Sequence, residues 1–205
     1  FIREHKDDYY SFWIFRTEVA SNIFMDPDSL MHFYRTIFPI KLRNAQEGKE
    51  IMEVLYGRKI ASSINIQAPD FKIMDIYGRR VELKNYRGKY VLINFWASWC
   101  VPCIAELPAI KKVSDQYFPE NLIIITNTID NDSLAFLAAI NKYEMSDWID
   151  SYNSVNLEKK FGGVTAIPQL FLIDPTGKII YNRNFNPIDN DKLTRLNQIL
   201  KEKLQ

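Results

Sequence analysis

Apolar residues recur along this chain with two periods, and the change from one to the other divides it. From Phe1 to about Ser63 the spacing is helical. Asp7 or Asp8 is placed to cap a first helix in which Phe12, Phe15, Val19 and Ile23 form one stripe. Asp26-Pro27 reads as an N-cap followed by proline at the first helical position, and Leu30, Phe33, Tyr34 and Ile37 repeat the stripe until Pro39. A third helix is predicted from Leu42 to Ile60, with Ile51, Leu55 and Ile60 on one side. No catalytic cluster falls in this segment. Its aromatic stripes read as core, with a lid, an inter-domain docking surface or a dimer face as the alternative.

Around Asn65 to Asp70 the character turns to β. Phe71–Met74 and Arg80–Leu83 read as a hairpin across Tyr77-Gly78, and Tyr86-Arg87-Gly88-Lys89 as a loop. Val91-Leu92-Ile93-Asn94-Phe95-Trp96 is a run of β-branched and aromatic residues, the pattern of a strand buried on both faces. Ile104, Leu107, Ile110 and Val113 then give a helix to Tyr117, and Leu122–Thr128 a second buried strand. Asp132-Ser133 caps a helix with Leu134, Leu137, Ala138 and Ile140 on one face. Strand, helix and strand in succession predict a sheet that is parallel at its centre. A short helix over Asn156–Phe161 stops at Gly162-Gly163. Gln169–Asp174 and Ile179–Tyr181 flank the turn chemistry of Pro175-Thr176-Gly177, and an amphipathic helix from about Asp189 to Leu204 closes the chain.

The chemistry sits where the first buried strand meets its helix. Cys100 occupies the tip of the turn and Cys103 follows three residues later. A thiol at a helix N-terminus faces free backbone N–H groups and the positive dipole end, which favour the thiolate, the attacking species in disulfide exchange. A structural disulfide across so small a loop would contribute only about 2 kcal/mol. A zinc site wants about four ligands, whereas the chain has two cysteines, and His5 and His32 lie far upstream. Inert buried thiols fit badly with a strand–turn–helix junction and with Pro102 fixing the backbone between the sulfurs. The redox pair is the preferred reading.

Composition narrows the rest. A length of 205 residues suits one medium domain, or a small domain with an appendage. With 47% hydrophobic and 25% charged residues and a formal net charge of +1, nothing calls for nucleic acid or an anionic membrane. No apolar run approaches the roughly 20 residues that span a bilayer. No signal-peptide pattern opens the chain, which begins with Phe1 and is expected to be processed or trimmed. Two cysteines in one motif leave no structural disulfide framework.

The order β–α–β–α–β–β–α, Trp-Cys-x-Pro-Cys after the first core strand and an apolar-proline pair before the hairpin resemble the thioredoxin fold. Within it, Ala68-Pro69-Asp70-Phe71, Asn94 to Cys100, Cys103-Ile104-Ala105-Glu106-Leu107-Pro108, Gly163-Val164 through Pro168, and Phe171–Asp174 with Gly177 resemble the TlpA/ResA branch of extracytoplasmic thiol–disulfide oxidoreductases. The resemblance implies a three-layer α/β/α domain with a mixed sheet over residues 64–205, preceded by a helical segment over 1–63. That segment is similar to the one before the redox domain in some multi-domain relatives, and would then be the end of a longer upstream domain. It implies Cys100 as nucleophile and Cys103 as resolving thiol. Pro168 would be cis beside the sulfurs, and Ile167 would offer backbone to a bound peptide. Glu106, on the face of Cys103, would exchange a proton with it, since Asn94 stands where thioredoxins proper carry a titratable Asp. Trp99 and Trp96 would frame the site, Trp99 covering Cys100 and Trp96 having the core as its alternative. No cofactor beyond the Cys100–Cys103 disulfide and no metal is implied. The partners implied are protein disulfides or dithiols and an upstream thiol donor, a membrane-bound one among the options, in the periplasm or cell envelope. A peroxiredoxin-like peroxidase, an isomerase or oxidant of the same fold, and a binding or chaperone module are the competing functions. The peroxidase is disfavoured because Asn94 to Trp99 lacks the Pro-x-x-x-Thr/Ser-x-x-Cys approach to the cysteine. Val101-Pro102 and Ile167 lean towards a reductant.

Overall fold

The computed structural model describes residues 1–163, 166–185 and 193–204, the side chain of Phe185 excepted. The described chain divides into two compact units, Phe1–Ala61 with Lys159–Gly163 in one, and Ser62–Glu158 with the residues after Gly163 in the other.

The first unit is helical. Asp8 caps α1 (Tyr9–Ile14) by accepting the Tyr10 N–H, and a π-helical turn, Phe15–Val19, follows. The predicted stripe stops there: Phe12 and Phe15 are buried but Ile23 is 78% exposed. The reason is Arg58, whose guanidinium donates to the carbonyls of Ala20, Asn22 and Met25 and holds this stretch as a loop. Asp26 caps α2 (Pro27–Ile37) through the Ser29 N–H at 2.8 Å. The third predicted helix is two, α3 (Ile40–Asn44) and α4 (Gln46–Ala61), because Ala45 is extended between them. Phe12, Phe15, Leu30, Tyr34, Phe38, Ile51 and Leu55 form the core.

The second unit is built on a six-stranded mixed sheet in the order β1-β8-β7-β4-β5-β6. Its strands are β1 (Ile66–Gln67), β4 (Tyr90–Trp96), β5 (Leu122–Thr128), β6 (Ile149–Tyr152), β7 (Gln169–Ile173) and β8 (Lys178–Asn182). The pairs β4–β5 and β5–β6 are parallel; β7 runs antiparallel to β4 and to β8, and β1 antiparallel to β8. A separate hairpin, β2 (Lys72–Met74) and β3 (Arg80–Glu82), attaches through the Ile76 N–H to the carbonyl of Asp150. The helices are α5 (Val101–Tyr117), α6 (Ser133–Lys142), α7 (Val155–Lys160, counted with this unit as far as Glu158) and α8 (Thr194–Leu204). Alternation puts Leu92, Ile124, Leu170 and Leu172 on one face, where they join Leu107 and Ile110 of α5, Phe136 of α6 and Leu200 of α8 in one apolar cluster. Asn127 points to the opposite face and there bonds Glu158 of α7 at 3.0 Å, giving the third layer. Each fully buried aliphatic side chain contributes about 1.5–3 kcal/mol, so these runs dominate the fold.

Two points differ from the sequence reading. Strand β6 was not anticipated, since its Asp150 and Ser151 are polar yet buried. Asp132 caps α6 as expected, but Leu134 and Leu137 face solvent, and the buried face is Phe136, Ala139 and Ile140. Contact of the Phe136 ring with Trp96 and Tyr152 sets that rotation. The closing helix is described from Thr194; its predicted start at Asp189, and Val164 of the quoted motif, lie outside the described residues. In the β7–β8 turn the Asp174 carboxylate accepts the N–H groups of Thr176 and Lys178, with Gly177 at φ +91°.

Candidate active site

Strand β4 delivers the turn Ala97-Ser98-Trp99 to the start of α5. Cys100 is the N-cap of that helix: its Sγ accepts the Cys103 N–H at 3.2 Å, and its carbonyl accepts the Ile104 N–H at 3.0 Å. Pro102 sits in the first turn, where a missing N–H leaves no helical bond unmade. The two sulfurs are joined in a disulfide with Cα atoms 5.2 Å apart. Both cysteines are buried, Cys100 at 4% and Cys103 at 2% exposed, because both pack in the cluster beneath α5. Their neighbours are not buried: Trp99 is 62% and Val101 79% exposed. The N–H aimed at Cys100 Sγ favours an anionic sulfur there once the bond is opened.

The remaining predicted residues fall in three places. The Ile167–Pro168 bond is cis. The antiparallel register that pairs Phe95 with Gln169 carries Pro168 and Ile167 on towards Trp96 and Ala97, at the end of the sheet that bears the cysteine turn. Ile167 is half-buried against the same cluster as the cysteines. Trp96 is fully buried against Phe136, ring centroids 5.9 Å apart, in the same apolar cluster as the two cysteines. Asn94 is buried in mid-strand between Thr126 and Leu170. Glu106 is buried on α5 and is ion-paired with Arg183, from the short 3-10 helix Arg183–Phe185 after β8.

Two polar residues of this region escaped sequence reasoning. Arg183 lies far along the chain from Glu106, and no spacing connects them. Asp130, just after β5, is buried and bonded to Ser98 in the cysteine turn. Its only sequence signal was a carboxylate following an apolar strand, the usual mark of a helix cap. Among the described residues no group of three or more His, Cys, Asp or Glu is placed to hold a metal ion, and no helix is long and apolar enough to cross a membrane.

A mixed sheet flanked by helices, with a Cys-x-x-Cys disulfide capping the helix after its central strand, defines a redox protein of the thioredoxin class. Residues 64–182 match the family model described as the AhpC/TSA family. The chain belongs to that family and, within it, to the thiol–disulfide oxidoreductases. It is 32% identical to the thiol-disulfide oxidoreductase ResA of Bacillus thuringiensis subsp. konkukian, over 65% of this chain and 76% of that protein. To ResA of Bacillus cereus strain ATCC 10987 it is 29% identical, over 72% of this chain and 84% of that one. Among solved structures it is similar to a thiol-disulfide oxidoreductase from Bacteroides fragilis, with a TM-score of 0.54 and 27% identity over 66% of this chain and 99% of that one.

Proposed function

We propose that this enzyme reduces disulfides in extracytoplasmic proteins, with Cys100 as the attacking sulfur and Cys103 as the resolving one. The observation that carries the proposal is Cys100 Sγ at the start of α5, held by the Cys103 N–H between two exposed apolar residues. In the dithiol form the Cys100 thiolate attacks one sulfur of a target disulfide; that bond breaks and one target thiolate leaves. Cys103 then attacks Cys100 Sγ, releasing the second target thiolate and closing the Cys100–Cys103 bond. Two electrons pass to the target, and two from an upstream thiol donor restore the dithiol. Trp99 forms the rim that meets the target, Ile167 offers backbone beside Pro168, and Pro102 stiffens the turn between the sulfurs. Glu106 tunes Cys103 from the same helix face, its carboxylate matched by Arg183. The periplasm or cell envelope is the setting the family resemblance favours. Residues 64–205 would carry the exchange and residues 1–63 a separate helical appendage.

The test is the reduction potential of the pair, equilibrated against a defined thiol buffer. A value near −250 mV or lower, close to thioredoxin at about −270 mV, supports a reductant; one above about −180 mV makes the enzyme an isomerase or oxidant. Roles are separated by trapping. The Cys103→Ser variant is expected to remain covalently joined to a target disulfide protein, and the Cys100→Ser variant not. The reverse pattern would exchange the two assignments.

A further inference from the structure

The C-terminal end of β5 does more than finish a strand. The Ile129 N–H donates to the carbonyl of Trp96 at 3.0 Å, so pairing with the β4 chain continues one residue beyond the ladder. The next residue, Asp130, turns its carboxylate inward and is 1% exposed. Its Oδ2 accepts the Ser98 N–H at 2.9 Å and the Thr128 hydroxyl at 2.6 Å, and its Oδ1 accepts the Ser98 hydroxyl at 2.8 Å. The backbone of Asp130 is held as well, its N–H on Thr128 Oγ1 at 3.1 Å and its carbonyl on the Asn153 side-chain amide at 2.7 Å. Among the described residues no Lys, Arg or His forms an ion pair with Asp130.

A buried carboxylate without a cation is costly to desolvate and persists only where several donors converge on it. Here two of the three side-chain bonds go to one residue, Ser98, which stands two positions before Cys100. The turn between β4 and α5 has one internal tie in addition, the Cys100 N–H on the Ala97 carbonyl at 3.1 Å. In the disulfide form the bond to Cys103 also holds Cys100. Reduction removes that covalent tie, and the place of the Cys100 sulfur then rests on the turn and on what grips it.

We propose that Asp130 is a positioning residue for the exchange reaction, fixing Ser98 and thereby the direction of Cys100 Sγ in the dithiol form. This rests on Cys100 being the attacking sulfur. Because the grip matters more to the dithiol than to the disulfide, its loss has two effects of separate sign. Attack by Cys100 slows, and the equilibrium shifts against the dithiol, so the pair becomes a slower but more strongly reducing couple. Damage to the fold alone would weaken both redox forms together and leave the potential where it was.

The experiment uses the reduced full chain and an aromatic disulfide, 5,5′-dithiobis(2-nitrobenzoate), in excess. Cys100 displaces one coloured thiolate, Cys103 closes the protein disulfide and releases the second, and the probe gains the two electrons the protein loses. Wild type, D130N, S98A and the double variant are compared, with Cys100→Ser as control. In D130N one acceptor oxygen becomes an NH2 that faces the Ser98 donors. Its first release step is expected to slow about tenfold, the worth of one charge-assisted hydrogen bond. Its reduction equilibrium is expected to fall by a similar factor, about 30 mV more negative. S98A, which keeps the backbone donor, is expected to move both quantities the same way by a smaller factor, and the double variant to match D130N. A wild-type rate and potential in D130N, or in S98A should D130N not fold, overturns the proposal. Additive effects in the double variant do so too, since Ser98 would then not be the link. A fast first release from Cys100→Ser instead overturns the assignment of the attacking sulfur, and is distinguishable because it does not involve Asp130.

Discussion

The carboxyl of Asp150 in β6 makes this protein's stability depend on pH in an unusual direction. Asp150 is buried, its Oδ1 accepts the Thr126 hydroxyl at 2.5 Å, and its Oδ2 has no hydrogen-bond partner among the described residues. Burial pushes the carboxyl up from 3.8 to about 6; the Thr126 bond opposes this and the negative charge of Asp75 adds to it. The protonated form is therefore favoured by folding. Stability from this group is fully present below pH 3.8 and is lost as pH rises through about 6. Moving one carboxyl across that interval corresponds to about 3 kcal/mol. The Asp150→Asn variant cannot titrate, and any cost of its amide NH2 is an offset that does not vary with pH. Urea unfolding of the oxidised protein, wild type against Asp150→Asn, is to be followed across the interval from about pH 4 to about pH 7. Other titrations cancel in the difference. Wild type is expected to lose about 3 kcal/mol relative to the variant as pH rises, with the difference flat above that. A difference that stays constant with pH, or that moves the other way, refutes the reasoning.

Replacing Arg183 by Met leaves the buried Glu106 carboxylate without its guanidinium; a loss of about 3–5 kcal/mol is expected in chemical unfolding. Glu106→Gln keeps the shape and removes the charge. Unchanged exchange rates and unchanged thiol titration in that variant would take Glu106 out of the mechanism. In the helical unit, a Cβ at Gly57 would meet the Lys159 carbonyl oxygen. Gly57→Ala is expected to lower stability by about 1–3 kcal/mol in thermal unfolding, despite the better helix propensity of alanine. The Trp148 indole N–H donates to Ser114 Oγ at 2.8 Å, both groups being buried. Trp148→Phe is expected to cost about 1–3 kcal/mol, read by the same method.

The elements of this protein that the sequence determined are those whose stabilisation is local. Val91–Trp96 and Leu122–Thr128 are strands because a continuous β-branched run buries on both faces wherever it lies in the sheet. Asp26, Asp132 and Cys100 cap helices because a side chain and an N–H two or three residues on suffice to make the bond. The Cys-x-x-Cys chemistry was legible for the same reason: its parts sit within one turn of helix. What the sequence could not carry is whatever depends on partners distant in the chain. Strand β6 has no apolar run to announce it; Asp150 and Ser151 are buried there because Thr126 and Asn127 of β5 offer them hydrogen bonds. The face of α6 was misjudged because periodicity gives a stripe, while contacts with Trp96 and Tyr152 select which residues fill it. Trp96 belongs to the core through those same contacts. The pairing of Glu106 with Arg183 and the grip of Asp130 on Ser98 follow the same rule. A buried charge is tolerated only where tertiary structure brings its partners to it, and that convergence leaves no period in the chain.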